Sequence, residues 1–127
     1  MEFTALVTLL LLFQYLAFAM LVGRERGRHG IEAPACAGHP DFERAHRVHM
    51  NTLEQLVVVI PAMWITAWWH GLPMLAPLLG LAFFFGRILY RNAYVRDPGA
   101  RGPGMAIGML AMLALLLCAV WAVVIRL

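Results

Sequence analysis

Arg44, Arg47, Asn51 and Glu54 recur at spacings of three or four residues, and so do Arg87, Tyr90, Arg91 and Tyr94 further along the chain. On an α-helix each residue turns by ~100°, which places the first set at about 0°, −60°, −20° and −80°. The second set falls at about 0°, −60°, +40° and −20°. Each set is therefore one polar stripe on one helix face. Arginine presents a planar fork that binds a carboxylate through two parallel charge-assisted bonds. Several arginines beside a glutamate, an asparagine and two tyrosines suit a small zwitterionic ligand, with arginine for its carboxylates and Glu54 for an ammonium. A second reading is that Glu54 pairs with Arg47 or Arg87 only to neutralise buried charge.

Other reactive residue types are poorly arranged. His46 and His49 lie three apart on the face opposite the stripe, with no third ligand in the sequence nearby, so no metal site is expected. The two cysteines, Cys36 and Cys118, have no metal-ligand spacing and are expected to be unpaired thiols. The methionines of the last apolar run, Met105, Met109 and Met112, read as packing residues.

The elements that carry these stripes are apolar. Of the 127 residues, 62% are hydrophobic and 13% charged, against roughly 25% charged in a soluble domain. Runs near 20 residues approach the length that spans a ~30 Å hydrocarbon core. The chain reads as one all-α domain over residues 1–127, an integral membrane four-helix bundle of up-down topology. The expected spans are about 3–22, 42–69, 74–94 and 105–125. No positively charged segment precedes Phe3–Val22, so that run is expected to remain as the first span. Gly23 ends it, and a polar loop begins at Arg24 and runs to about Pro40.

The second span holds the first stripe. Its purely apolar part, Leu56–Trp69, is 14 residues long and too short to cross alone. It must borrow length from the charged segment before it, with Asp41 as the expected N-cap. A helix from Asp41 to Trp69 measures ~43 Å, so part of the stripe sits near or within membrane depth and must face protein or water. A tight turn at His70–Pro73 leads to the third span. The Gly- and Pro-rich segment from Arg96 to Gly104 separates the third span from the fourth. Trp64, Trp68 and Trp69 read as interfacial anchors.

All ten basic residues are arginine, giving a net charge of +3. They flank the spans rather than cover a soluble face, which argues against a nucleic-acid partner. The loops after spans one and three carry nearly all of them and the turn at Gly71 none. By the positive-inside rule both arginine-rich loops face the cytoplasm and both termini lie outside. Exclusive use of arginine fits a GC-rich genome, so the expected location is a bacterial inner membrane.

The segment Phe42–Glu54, reading FERAHRVHMNTLE, resembles the signature of the MAPEG superfamily, the membrane-associated proteins in eicosanoid and glutathione metabolism. Gly86-Arg87-Ile88-Leu89-Tyr90 with Tyr94, Asp97-Pro98 and Arg101-Gly102 resembles that family's second block. Within the superfamily the likeness is to the microsomal glutathione S-transferase 3 branch. The resemblance implies a homotrimer with three sites between protomers, glutathione as co-substrate and a lipophilic acceptor entering from the bilayer lipids. It implies that Arg47, Asn51, Glu54, Tyr90 and Tyr94 contact glutathione, with Arg26 contributed by the neighbouring subunit. It implies that Arg101 faces the thiol and stabilises its thiolate. Arg44, Arg87 and Arg91, the other arginines of the two stripes, are expected to support the site.

Gln55 stands where leukotriene-forming relatives carry tyrosine, and His49 where glutamine is common, which weighs against a leukotriene substrate. The expected activity is a glutathione-dependent membrane transferase or peroxidase. A non-catalytic lipid-binding or scaffolding member of the same fold is the alternative. A small multidrug exporter is a third reading, disfavoured because the first span lacks the glutamate such exporters carry.

Overall fold

The computed structural model describes residues 1–127 and contains four α-helices and no strand. The helices are α1 (Glu2–Arg28), α2 (Pro40–Trp69), α3 (Leu75–Arg96) and α4 (Gly102–Val124), with a 3-10 turn at Pro98–Arg101 before α4. The main core is a layer of Val7 and Leu11 from α1, Leu56, Val59 and Met63 from α2, Phe83 from α3 and Leu115 from α4. Every helix contributes one face to it, as a bundle requires. The opposite faces expose large apolar residues such as Phe13, Met20, Val57, Leu110 and Trp121. In water that surface would be costly, whereas beside lipid tails it is neutral.

Three stretches are long and apolar enough to cross a membrane: Glu2–Arg28, Pro40–Trp69 and Pro98–Val124. Helix α3 is not among them, since Arg87, Arg91 and Arg96 lower its hydropathy.

Two boundaries differ from the sequence expectation. Gly23 does not end α1, which continues through Gly27 to Arg28. An interior glycine costs only about 1 kcal/mol. Here Glu25 meets Arg28 at 3.2 Å and His29 at 3.3 Å, one turn on, while Arg26 and Arg28 complement the helix C-terminus. The N-cap of α2 is His39, not Asp41: the Asp41 amide donates to His39 Nδ1 at 3.2 Å, and Pro40 occupies the first turn.

The closest helix approach is between α3 and α4. A Cβ at Gly104 would collide with the backbone of Leu89 and Tyr90, and one at Gly86 would stand 2.9 Å from the Gly108 nitrogen. Gly104 and Gly108 form a small-xxx-small pair of the kind that lets membrane helices touch through their backbones. Gly104→Ala is expected to destabilise the detergent-solubilised protein by about 1–3 kcal/mol, because backbone atoms cannot step aside. Gly108→Ala, whose new methyl would meet Phe83 at an ordinary 3.8 Å, is expected to change the melting temperature little. Equal melting of the two variants would contradict this reading of the seam.

Trp64 does more than anchor an interface. Its Nε1 donates to Thr8 Oγ1 at 3.1 Å, tying α2 to α1. Both cysteines are free, as expected from their separation.

Candidate functional site

Two turns of α2 place Arg47, Asn51 and Glu54 on one face. Arg47 Nη1 donates to Glu54 Oε1 at 3.3 Å, and Asn51 Nδ2 donates to Glu54 Oε2 at 3.4 Å. Both carboxylate oxygens are thus engaged, while the side chains of Arg47 and Glu54 remain 52% and 53% exposed. Asn51 is buried and its Oδ1 has no hydrogen-bond partner. A half-exposed charged pair on a helix this apolar, with a buried and unpartnered acceptor beside it, is polarity that the chain does not satisfy by itself.

On α3, Tyr90 and Tyr94 stack with ring centroids 5.5 Å apart. Tyr90 is buried with Phe18 and Val48. The Gly104 contact described above seats the first turn of α4 directly on the Tyr90 backbone. Arg101 precedes Gly104 by one turn and so lies at the same end of the bundle, exposed to solvent. Its turn is held by Asp97, whose carboxylate accepts from the Gly99 amide at 3.0 Å. Arg47, Arg87, Arg101 and Tyr94 all lie within electrostatic reach of Tyr90. The structure thus gathers Arg47, Asn51, Glu54, Tyr90, Tyr94 and Arg101 at one end of the molecule.

The remaining arginines go elsewhere. Arg87 is the largest fully buried side chain, 1% exposed. It donates from Nη1 to Gln55 Oε1 at 3.1 Å and from Nη2 to Thr52 Oγ1 at 3.0 Å, with its guanidinium 4.1 Å from the Tyr90 ring centroid. It fastens α3 to α2 rather than lining the stripe. Arg44 Nη1 donates to the carbonyls of Val95 and Arg96 at 3.3 Å each, capping the C-terminus of α3. Arg91 donates to Asn92 Oδ1 at 3.2 Å and lines a small cavity with Arg24, Glu25 and Asp41. Arg26, in the last turn of α1, donates to the Ala35 carbonyl of the following loop at 2.8 Å and lies 4.6 Å from the Phe42 ring centroid of α2.

Sequence reasoning missed Thr52 and Gln55 as polar partners. Both lie on α2, but nothing in the linear pattern identified Arg87 as their mate. The largest cavity, about 500 Å³, is not at the polar cluster. It is an apolar groove between α2 and α4, lined by Val57, Pro61, Ile65, Leu116 and Val120 among others.

Comparison with known proteins places this architecture. The MAPEG family model matches residues 4–121. An uncharacterized protein of Synechocystis is 40% identical over 111 residues, covering 87% of this chain and 80% of that protein. Human microsomal glutathione S-transferase 2 is 34% identical over 114 residues, covering 88% of this chain and 77% of its own. Guinea-pig (Cavia porcellus) leukotriene C4 synthase is 32% identical over 98 residues, 76% of this chain and 64% of that enzyme. These relatives do not single out the microsomal glutathione S-transferase 3 branch. Family membership takes the place of the exporter reading, and with the apolar helices it identifies a membrane protein. From the model match across nearly the whole chain, and from relatives at this identity and coverage, the chain belongs to the MAPEG family.

Proposed function

We propose that this protein is a glutathione-dependent membrane transferase or peroxidase whose site is built on Arg47, Asn51, Glu54, Tyr90, Tyr94 and Arg101. The observation that carries the reading is the half-exposed Arg47–Glu54 pair beside the buried, unpartnered Oδ1 of Asn51. Lipid cannot solvate such a face. A glutathione molecule offers two carboxylates and an ammonium, which match the arginines and Glu54. The name of the human relative, a glutathione S-transferase, supports the same ligand.

A neighbouring copy would cover the rest of this face, in a homotrimer that also brings Arg26 to the site from the next subunit. All four helices cross the bilayer in this reading. The 22 residues of α3 reach ~33 Å, and its most costly charge, Arg87, is hydrogen-bonded inside the bundle to Gln55 and Thr52. With the arginine-rich loops in the cytoplasm of a bacterial inner membrane, the site is cytosolic in access and both termini lie outside.

Chemically, the bound thiolate attacks an electrophilic carbon and forms a C–S bond as the leaving group departs. Alternatively it cleaves a lipid hydroperoxide, two glutathiones giving one disulfide, one alcohol and water. Arg101 stabilises the thiolate. Lowering a thiol pKa by two units requires about 2.7 kcal/mol of preferential stabilisation, a scale accessible to one fixed charge in a partly dehydrated site. The acceptor enters sideways from the bilayer, along apolar surface.

The test is calorimetric titration of purified protein with glutathione, paired with turnover of a generic electrophile. Glu54→Gln is expected to weaken glutathione binding by roughly 1.5–3 kcal/mol, the worth of a hydrogen bond to a charged group, without dissociating the oligomer. Unchanged affinity would make Glu54 only Arg47's counter-charge. Binding without turnover in the wild type would leave the lipid-binding alternative.

A further inference from the structure

Outside the polar cluster, the end of α1, the start of α2 and the end of α3 enclose a second, smaller cavity of about 180 Å³. Its charged walls are Arg24 and Glu25 from α1, Asp41 from α2 and Arg91 from α3, with Leu21, Ala45 and Val95 as the apolar remainder. Drug-sized molecules need ~300–1,000 Å³, so this space suits one compact group. The walls carry two positive and two negative charges, which asks for a group that itself carries both signs.

These four charges do not cancel in pairs. Glu25 is nearly buried and already committed. Its Oε1 meets Arg28 at 3.2 Å and Arg24 at 3.5 Å, and its Oε2 lies 3.3 Å from His29. Arg24 shares that carboxylate with Arg28 and stays mostly exposed. Arg91 pairs with no carboxylate and donates only to Asn92 Oδ1, at 3.2 Å. Asp41 meets no arginine. It faces the imidazoles of His29 at 3.8 Å and His39 at 3.9 Å and is half exposed. A guanidinium on α3 and a carboxylate on α2 therefore line one cavity without forming an ion pair.

The cavity's depth narrows the choice of ligand. It lies at the polar ends of three helices, where α1 passes from the apolar run ending at Val22 to its charged last turns. In a membrane protein that is the level of the lipid headgroups, and basic pockets between helices at that level recognise them. Here the headgroup must also bring a cation for Asp41. We propose that this cavity holds the headgroup of a phosphatidylethanolamine lipid, with its phosphate on Arg91 and Arg24 and its primary ammonium on Asp41. A primary ammonium donates three hydrogen bonds. The trimethylammonium of a choline headgroup donates none, and a glycerol headgroup carries no cation, so both fit less well. The bound headgroup joins the ends of α1 and α3 to the start of α2 through charges that the chain leaves unpaired.

The experiment strips detergent-solubilised protein of lipid and offers equal amounts of phosphatidylethanolamine, phosphatidylcholine and phosphatidylglycerol with matched acyl chains. Native mass spectrometry then counts the lipid retained. One phosphatidylethanolamine per chain is expected, favoured ~10-fold over the other two, the scale of hydrogen bonds to a charged group. Arg91→Gln is expected to lower retention of all three lipids alike, because all carry the phosphate. Asp41→Asn is expected to lower phosphatidylethanolamine alone and so remove its preference over the choline lipid. Arg96→Gln removes a positive charge from the end of α3 without touching the cavity wall and is expected to change nothing. Equal retention of the three lipids by the wild type overturns the proposal, and that comparison needs no variant to fold. So does a loss in Arg96→Gln equal to that in Arg91→Gln, which would make the effect one of overall surface charge. Soluble phosphoethanolamine that binds as tightly as the lipid, in a parallel calorimetric titration, overturns the lipid as the source of the group.

Discussion

Arg101→Ala is expected to lower turnover about 10²-fold or more while glutathione affinity changes only a few-fold. The size is that of removing one preorganised charge-stabilising donor. The position of the residue explains the split. Arg101 closes a 3-10 turn fixed from within by Asp97 and held against α3 by Gly104, so its guanidinium starts from a rigid base at the Tyr90–Tyr94 end of the bundle. Arginine stays charged at any useful pH and cannot serve as a base. In the proposed mechanism its contribution is to favour thiolate over thiol, so in the variant the bound thiol should titrate at higher pH and the rate profile should move with it. Thiolate absorbance and kcat, measured against pH in both proteins, check this. An unchanged thiol titration with unchanged turnover removes Arg101 from the mechanism.

Gln55→Leu is expected to destabilise the protein by about 3 kcal/mol, more than Arg87→Met does. Leucine leaves the Arg87 charge buried with half of its hydrogen bonds gone, and an uncompensated buried charge is the costly case. Methionine removes the charge itself and keeps much of the volume. Thr52 loses little by that change, since its hydroxyl still donates to the Val48 carbonyl at 2.7 Å. Gln55 retains its Met109 contact at 3.6 Å. Unfolding in detergent, followed by tryptophan fluorescence, ranks the two variants. If Arg87→Met proves the more damaging, the Arg87 seam has a role beyond satisfying its own charge.

The two variants separate kinds of arginine that look alike in the sequence. Arg47, Arg87 and Arg101 each sit in a family-like motif. In the structure one is half exposed beside a carboxylate, one is wholly interior, and one is exposed on a turn. The interior one is spent on the α2–α3 seam. Arg44 likewise is occupied by the carbonyls that end α3. Of the stripe drawn from helical angles, the segment Arg47–Asn51–Glu54 is a connected unit.

The sequence by itself determined the all-helical class, the apolar lengths of α1, α2 and α4, and the family. Those properties rest on composition, on the 3.6-residue period and on motif order, all of which are local along the chain. It also placed Arg47, Asn51 and Glu54 on one helix face, because residues three, four and seven apart are neighbours there, but left the partner of Glu54 open between Arg47 and Arg87, which the structure resolves as Arg47. Tertiary structure alone decided which arginines are buried, since that depends on which face of α3 turns to α2. It decided that Gly104, a residue without side-chain chemistry, sets the position of Arg101 by allowing α4 to rest on the Tyr90 backbone. It also extended α1 to Arg28 and so brought His29, at the C-cap, to within 3.8 Å of Asp41. No local pattern encodes that approach, because it depends on the direction in which the chain returns after the loop.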